Sequence, residues 1–256
     1  MQLTELIYYP VKSMRGINMA QTEILPMGIK HDRCWLLTDL TGNFITARKY
    51  PQLLLWQATV ETDGLYLTAP DGESRFFPTK KFTLTSNVTV WKDTFAAQQN
   101  TNDTDPWLSS KIGTQCRLNY IGAPSNRTLA GTDTPLSFAD GAPYLLTNQA
   151  SLAALNATLP RTVEMRRFRP NLVINGIEAY EEESWREIQI GNVRFELFKP
   201  CTRCVMTTVD LHNGEKDPQQ QPLKTLAQTR KAIFGMNMRA LNSGTVAVGD
   251  AVTVLA

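Results

Sequence analysis

Residues 187–198, with the sequence EIQIGNVRFELF, alternate apolar and polar side chains on both sides of Gly191-Asn192. Alternation with a period of two turns one face of a strand towards a core and the other towards solvent. A Gly-Asn pair between two such runs indicates a two-residue turn. The stretch therefore predicts a β-hairpin, and its pattern is the one on which most of the chain is built.

The same short period recurs along the first half of the chain. Seven segments rich in Ile, Val, Thr and aromatic residues are separated by turns that contain glycine. They are residues 4–13, 34–39, 43–48, 53–60, 65–69, 81–86 and 88–91. Short strands that follow one another this closely favour a barrel or a sandwich.

Helix signals are confined to three places. Asp105 is placed to cap a short helix that Pro106 would open. Asn148 or Ser151 would cap a second helix, rich in Ala and Leu. Residues 222–231 predict a third helix. We therefore expect a mainly β chain, of the α+β type, with few helices.

The end of the chain and its middle complete this outline. Residues 245–255 predict a last hairpin around a Gly-Asp pair. Residues 123–135 are polar and rich in turn formers, which is typical of a boundary or a mobile loop. We expect two domains, residues 1–122 and residues 123–256.

Composition excludes several classes of protein. The 256 residues carry 26 Lys and Arg against 24 Asp and Glu, so the net charge of +2 does not favour a polybasic nucleic-acid binder. No run approaches the ~18 apolar residues that a membrane span needs. The N-terminus, MQLTELIYYPVKSM, lacks the layout of a signal peptide. We expect a cytoplasmic protein with no nucleic-acid and no membrane partner.

The pair Cys201 and Cys204, in the sequence Cys-Thr-Arg-Cys, admits four interpretations. The four are a turn with two unreactive thiols, a thiol–disulfide pair, half of a zinc site, and a single thiolate that binds a soft metal. Residues 205–210 predict a strand, so no helix dipole would lower a thiol pKa there. Zinc would need two more ligands, and no second C-x-x-C exists. Arg203 would help keep one thiolate ionised.

Cationic residues form the second candidate group. They are Lys12, Arg15, Arg33, Arg48 and Arg169, and most of them interrupt runs that otherwise look buried. Each alone is typical of a solvated or salt-bridged surface group, but charges beside core strands need partners. If they converge, the natural partner is an anion, and arginine suits the forked recognition of phosphate. Neither of the common glycine-rich nucleotide loops is present.

Five stretches carry a family resemblance. They are YYPVKSMRG (8–16), HDRCWLLTDLTGNFITARKYPQL (31–53), PLSFADGAPYLLTNQASL (135–152), FRPNLVINGIEAYEEESW (168–185) and KPCTRCVMTTVD (199–210). In this order they resemble the MOSC-domain family, and most closely its YcbX and mitochondrial amidoxime-reducing-component branch. The resemblance covers nearly the whole chain. It implies an N-terminal MOSC β-barrel domain packed on a MOSC domain that is itself a β-barrel with a few helices.

The resemblance implies a molybdenum cofactor site, residue by residue. The second Cys of the family's C-x-R-C motif ligates molybdenum, so Cys204 is the implied metal ligand and catalytic residue. The expected contacts to the pterin and its phosphate are Lys12, Ser13, Arg33, Arg48, Arg169, Asn171, Thr202 and Arg203. Asp210 is a candidate proton donor or cofactor contact, and Cys201 is expected to lie behind the ligand.

The implied activity is a two-electron reduction of N-hydroxylated compounds such as hydroxylaminopurines, amidoximes and hydroxylamines. The four cysteines show no iron–sulfur cluster spacing, so electrons are expected from an external flavin or iron–sulfur protein. Two alternatives stay open: a sulfur carrier or sulfurtransferase with a persulfide on Cys204 or Cys201, and a non-catalytic carrier of the cofactor. The family resemblance also raises pyridoxal phosphate as a ligand.

Overall fold

The computed structural model describes residues 1–101, 103–122 and 125–256, and most of its regular structure is β. The strands are β1 (Leu3–Tyr8), β2 (Ile17–Met19), β3 (Gln21–Leu25), β4 (Gly28–Ile29), β5 (Trp35–Thr38), β6 (Gln57–Glu61), β7 (Gly64–Thr68), β8 (Ser74–Pro78), β9 (Leu84–Val90), β10 (Asp93–Gln99), β11 (Arg117–Tyr120), β12 (Tyr144–Asn148), β13 (Leu172–Ile174), β14 (Glu187–Ile190), β15 (Val193–Thr202), β16 (Ile233–Ala240), β17 (Gly244–Ala247) and β18 (Val252–Val254).

The helices are short. The α-helices are α1 (Pro106–Ile112), α2 (Gln149–Asn156) and α3 (Leu223–Arg230). The 3-10 helices are Pro51–Leu55, Thr79–Lys81, Met165–Phe168, Glu181–Glu183 and Val205–Thr208. In the described parts of the chain, no helix is long and apolar enough to cross a membrane.

The strands form one large sheet and three small ones. The large sheet has the order β18-β14-β15-β16-β12-β13-β1-β2, in which β12 and β13 are parallel and the other pairs antiparallel. The small sheets are β5-β11-β10-β9, β17-β3-β4 and β6-β7-β8. Among the described residues, each sheet is open in its hydrogen bonding. The prediction of a mainly β chain is confirmed.

Two main hydrophobic cores hold these sheets. The first is built mainly by the N-terminal half and includes Trp56, and Phe138 from the second half also enters it; both are fully buried. The second lies along the large sheet and includes Leu6 and Phe195. Each such side chain contributes about 1.5–3 kcal/mol by leaving water. Val209, from the second half of the chain, is buried in the first core. The N-terminal strand β1 lies in the large sheet, so the two halves exchange elements.

The predicted turn and helix signals are confirmed. Ile190 pairs with Val193 across Gly191-Asn192, as the hairpin requires. The Asp105 side chain accepts a hydrogen bond of 2.9 Å from Leu108 N and caps α1. The Asn148 side chain caps α2 in the same way and lies 3.0 Å from Ala150 N.

Two strand predictions in the first half are wrong. Residues 43–48 bury Ile45 and Ala47 in the first core, but they pair with neighbouring strands only through isolated bridges. The alternation of apolar and polar residues therefore reflects burial of one side of the segment, and residues 43–48 form no continuous ladder of strand hydrogen bonds. Residues 53–60 begin in the 3-10 helix Pro51–Leu55, which has its proline at the first position, where the missing N–H costs nothing. The strand begins only at Gln57.

The predicted last hairpin is also wrong. β17 pairs with β3, whereas β18 pairs with β14 in the large sheet. The turn between them is held by other parts of the chain: Val248 N donates to Ala20 O, and Gly249 N donates to Leu3 O, both at 2.8 Å. The segment therefore passes from one sheet to another. The domain division between residues 122 and 123 stays a prediction.

Replacing the cap of α1 tests this local reading. Asp105→Ala should lower the free energy of unfolding by about 1 kcal/mol, because it removes the oxygen that accepts from Leu108 N. Asp105→Asn keeps a side-chain oxygen at that place, so its free energy of unfolding should fall much less. Chemical denaturation of the two variants measures the difference. Equal losses in both would show that the ion pair of Asp105 with Arg75, and not the cap, is what matters.

Candidate functional site

A cavity of about 340 Å³ gathers side chains from distant parts of the sequence. Nine of the ten predicted site residues line it: Lys12, Ser13, Arg33, Arg48, Arg169, Asn171, Thr202, Arg203 and Cys204. The tenth, Asp210, is not among the lining residues. Cys201 also lines the cavity.

The wall of this cavity is strongly cationic. It contains seven Lys and Arg side chains, namely Lys12, Arg33, Arg48, Arg167, Arg169, Lys199 and Arg203. Asp140 is the one acidic residue among the described lining residues. Such an excess of fixed positive charge attracts an anion and favours phosphate where several arginines converge.

Lys12 is held from the side of the first core. Its backbone N donates to Trp35 O at 2.9 Å, and its Nζ donates to Phe138 O at 2.7 Å and to the Asp140 carboxylate. Burial lowers the pKa of Lys12 to about 8, against the opposing effect of Asp140. Burial would raise the pKa of Asp140, but Lys12 and Arg48 together hold it well below its usual range. Asp140 is therefore an anchor for both cations.

Arg33 is held by a buried network. Its Nη1 donates to the Asp32 carboxylate and, at 2.9 Å, to Asn171 Oδ1. Asn171 Oδ1 also accepts from Leu145 N at 3.2 Å, and Asn171 Nδ2 donates to Ile7 O at 3.1 Å. Burial raises the pKa of Asp32 in spite of Arg33 beside it. The amide of Asn171 is thus engaged within the protein and orients Arg33.

Arg33 and Arg169 share one aromatic ring. Their guanidinium carbons lie 4.5 Å and 4.1 Å from the centroid of the Tyr9 ring, within cation–π range. Arg169 Nη1 also donates to Met14 O at 2.7 Å. Burial lowers the pKa of Arg169 to about 10. Arg169 therefore stays charged at neutral pH, and an anion would relieve its repulsion with Arg33.

Three lining residues have left-handed backbone conformations. The φ angles are 72° at Ser13, 51° at Arg33 and 55° at Arg169. Residues other than glycine adopt this region at a cost of about 1–3 kcal/mol when the rest of the structure enforces it. Two of the three positions, Arg33 and Arg169, carry cations that line the cavity.

The Cys-Thr-Arg-Cys segment turns at the end of β15. Cys204 precedes the 3-10 helix Val205–Thr208, so the strand predicted for residues 205–210 is wrong. The hydroxyls of Thr207 and Thr208 donate to the carbonyl oxygens of Cys204 and Val205 at 3.0 Å and 2.8 Å. These bonds from residue i to residue i−3 stabilise a tight turn in place of an extended chain.

The two cysteines have different surroundings. Arg203 Nη1 lies 2.8 Å from Cys201 Sγ and donates to it, and Arg203 Nη2 donates to Phe168 O. In the part of the chain that the structure describes, Cys204 Sγ makes no hydrogen bond with another residue. Arg203 Nε is buried without a partner. Cys204 therefore offers to the cavity a thiol that no described residue engages.

Asp210 lies outside this cavity. It lines a neighbouring one of about 540 Å³, and Arg167 lines both. Asp210 Oδ2 is 2.9 Å from Arg167 Nη2, and Asp210 Oδ1 accepts from His212 N at 2.8 Å. The His212 N–H bond, with Arg167 nearby, lowers the pKa of Asp210. At neutral pH this side chain is a carboxylate, so its environment does not suit a proton donor.

Sequence reasoning missed three charged lining residues. Asp140 and Lys199 both lie within stretches that carry the family resemblance, but neither was singled out. Arg167 lies in the run Arg166-Arg167-Phe168-Arg169, whose charge density was a usable signal. What no local pattern could show is that Asp140 pairs with Lys12, 128 residues earlier in the chain.

The donor set fits a soft metal carried by an anionic, heterocyclic group. A free thiol is the ligand that such a metal prefers. The cationic wall suits a phosphate, and the lining hydroxyls of Ser13 and Thr202 suit polar contacts to a heterocycle. The molybdenum–pterin cofactor joins these three features in one molecule. The residues present therefore fit it.

Comparison with known proteins agrees with this chemistry. The model of the MOSC N-terminal beta barrel domain matches residues 1–115, and that of the MOSC domain matches residues 133–253. The mouse mitochondrial amidoxime-reducing component 1 is 33% identical over 99% of this chain and 82% of its own length. Its human counterpart is 32% identical over 99% and 82%. A molybdenum cofactor sulfurase of Drosophila grimshawi is 28% identical over 99% of this chain but 34% of its own length.

Two family models thus cover most of the chain, and both matched regions contribute to the cavity. The first region supplies Lys12 and Arg33, and the second supplies Arg169 and Cys204. Relatives more than 30% identical extend over nearly its whole length. This chain is a member of the MOSC family, with the MOSC N-terminal and MOSC domains together.

Proposed function

We propose that this chain binds the molybdenum cofactor and uses it to reduce N-hydroxylated compounds, with electrons from a separate protein. One observation carries the proposal: a thiol without a partner, Cys204, opens into a cavity whose wall has seven cations and one carboxylate. The family's relatives support it, because their names refer to amidoxime reduction and to the molybdenum cofactor.

The residues divide the work of holding the group. Cys204 would ligate the metal. Lys12, Arg33, Arg48 and Arg169 would face the phosphate. Asp140 holds Lys12 and Arg48, and the Tyr9 ring packs against Arg33 and Arg169. The other lining residues would hold the pterin by polar contacts from Ser13, Thr202 and Arg203. Asn171 would act through Arg33.

When bound, the cofactor supplies two-electron chemistry at its metal. The chain supplies orientation, a charged wall and partial exclusion of water. Amidoximes, hydroxylamines and hydroxylaminopurines are the proposed substrates, and a flavin or iron–sulfur protein is the proposed donor. The cytoplasm is the proposed compartment. Pyridoxal phosphate has no support in the names of the relatives and is not part of the proposal.

A sulfur carrier is the second candidate, and one contact favours it. Arg203 Nη1 donates to Cys201 Sγ at 2.8 Å, which would stabilise a thiolate and its persulfide there. A relative named molybdenum cofactor sulfurase matches 99% of this chain, although the match covers 34% of the relative's own length. Sulfane sulfur on Cys201 in metal-free protein would favour this function. A non-catalytic carrier would hold the cofactor but turn over no substrate with any donor.

Separate replacement of the two cysteines distinguishes these functions. Cys204→Ser should lose molybdenum and all reduction of benzamidoxime by reduced methyl viologen, because it removes the thiol that would ligate the metal. Cys201→Ser should lose activity by at most about 10–100-fold, as is typical when a residue supports a metal ligand but does not bind the metal itself. Activity is normalised to pterin content. Complete loss in both variants would indicate paired-thiol chemistry, and activity in Cys204→Ser would refute the proposed ligand.

Removing one cation from the rim tests the phosphate contacts. Arg33 is a poor choice, since its loss would leave the Asp32 carboxylate buried and unpaired. Arg48 is more exposed and shares Asp140 with Lys12. Arg48→Gln should weaken pterin retention by about tenfold or more, because a charged hydrogen bond to phosphate is lost.

Arg194→Gln is the matched control, because Arg194 pairs with Glu187 on the surface and does not line the cavity. Pterin fluorescence after gel filtration measures retention in both variants. Full retention in Arg48→Gln, or equal loss in both, would contradict the assignment.

The pKa of Lys12 predicts a pH dependence. Lys12 must be protonated to hold an anion, and its pKa of about 8 lies below the usual 10.5. Pterin retention should therefore fall as the pH rises from 7 to 9.5. Lys12→Arg keeps its charge over this range, so its profile should be flat. Gel filtration across the pH range gives the profile of pterin retention for both proteins. Parallel profiles would contradict the proposed role of Lys12.

A further inference from the structure

A second cavity, of about 280 Å³, adjoins the cofactor cavity at Arg169, whose side chain lines both. Its wall also contains Arg15 and Arg166, which belong to neither the cofactor cavity nor the proposed chemistry. Three guanidinium groups thus face one small space. None of the functions considered above uses this space.

The local fold explains why two of these arginines meet. Arg166 lies in the 3-10 helix Met165–Phe168, and Arg169 ends it, with Arg169 N donating to Arg166 O at 3.1 Å. Arg169 takes the left-handed cap position, and its side chain lines the same cavity as that of Arg166. Arg167 between them reaches Asp210. Arg15 arrives from the N-terminal half, through a bond from its backbone N to Trp56 O.

Two of the three guanidinium groups are unpaired. Within the described residues, the side chains of Arg15 and Arg166 donate no hydrogen bond and form no ion pair with a carboxylate. Arg166 is half-buried, and a partly desolvated charge without a partner is unfavourable. Because arginine presents several donors in a fixed fork, an incoming oxyanion would satisfy both groups at once.

The acidic component of the wall is small and already engaged. Glu164 is the one carboxylate among the described lining residues, and its Oε1 lies 2.7 Å from His212 Nε2. The three arginines therefore exceed the acidic charge by two, as three minus one. The cavity keeps a positive potential even before His212 is counted.

The rest of the wall is mainly apolar. It includes Tyr9 and Leu54, each 2% exposed, and the more accessible Leu211. Arg169 lies over the Tyr9 ring at 4.1 Å, which keeps that ring in place. A ligand that fills this space would present an anionic group to the arginines and a planar apolar group to the leucines and the ring.

We infer that this second cavity binds a small organic anion in which a phosphate or carboxylate is attached to an aromatic group. The site is separate from the cofactor cavity and shares only Arg169 with it. The inference goes beyond the proposed function and holds whether or not the chain reduces any substrate.

Calorimetric titration of the full chain with phenyl phosphate tests the site. Arg166→Gln should weaken binding by about tenfold to a hundredfold, because one charged fork is lost. Arg15→Gln, at an exposed position, should weaken it similarly and serves if Arg166→Gln fails to fold. Arg161→Gln is the matched control, an exposed arginine five residues before Arg166 that lies outside this cavity.

Three further probes define the ligand class. Benzoate should bind, which extends the class to carboxylates, and neutral benzyl alcohol should bind at least about tenfold more weakly than phenyl phosphate. Inorganic phosphate that bound as tightly as phenyl phosphate would overturn the aromatic part. Binding that survives in both Arg166→Gln and Arg15→Gln, or that is lost in Arg48→Gln alone, would place the ligand in the cofactor cavity and overturn the inference.

Molybdenum and pterin are measured on the same preparations, which separates this inference from the proposed function. Protein that never acquires the cofactor, but binds phenyl phosphate through Arg166, would uphold the site and refute the proposed function. Cofactor-loaded, active protein with no such binding would do the reverse.

Discussion

The partly buried guanidinium of Arg33, paired with the buried Asp32 carboxylate, ties the two halves of this molecule together at the cavity. It bonds to the Asp32 carboxylate and to Asn171 Oδ1, while Asp32 Oδ1 also accepts from Tyr9 N at 2.7 Å. Asn171 in turn donates to Ile7 O. The end of β1, the loop before β5 and the start of β13 therefore meet in one hydrogen-bonded network. Breaking a buried pair of this kind costs about 3–5 kcal/mol, because the remaining charge is left unpaired.

This arrangement has an energetic cost in the free protein. Lys12, Arg33, Arg48 and Arg169 repel one another, and the pKa of Lys12, lowered to about 8 mainly by burial, reflects the difficulty of charging that group. Asp140 offsets part of the repulsion by contacting both Lys12 and Arg48. Proteins keep such local conflicts where function needs them and compensate elsewhere through packing. Here the compensation comes from two hydrophobic cores on either side of the network.

Much of the fold and of the site could be predicted from sequence, for physical reasons. The Gly191-Asn192 hairpin and the Asp105 cap are local, so a few neighbouring residues determine them. The nine candidate residues that line one cavity were identified through the family resemblance, which long motifs in a fixed order carry, and not from local pattern alone.

The failures are equally physical. Residues 43–48 alternate because Ile45 and Ala47 enter the core, and that requires no strand partner. In residues 205–208, threonine hydroxyls compete for the backbone and tighten the chain. Asp210 ends the same motif as Cys204, but the tight turn carries it towards Arg167, so adjacency in sequence did not bring it to the cavity.

The position of β1 also determines when this molecule can be completed during synthesis. Leu6 pairs with Leu172, so the first strand has no neighbour on that side until residues 172–174 have been made. At about 5–20 residues per second, that interval is on the order of ten seconds or more. During it, the apolar face of β1 has to be shielded by transient contacts or by a chaperone. A ribosome that stalls before β13 would release a chain whose N-terminal strand is exposed to proteases and to aggregation.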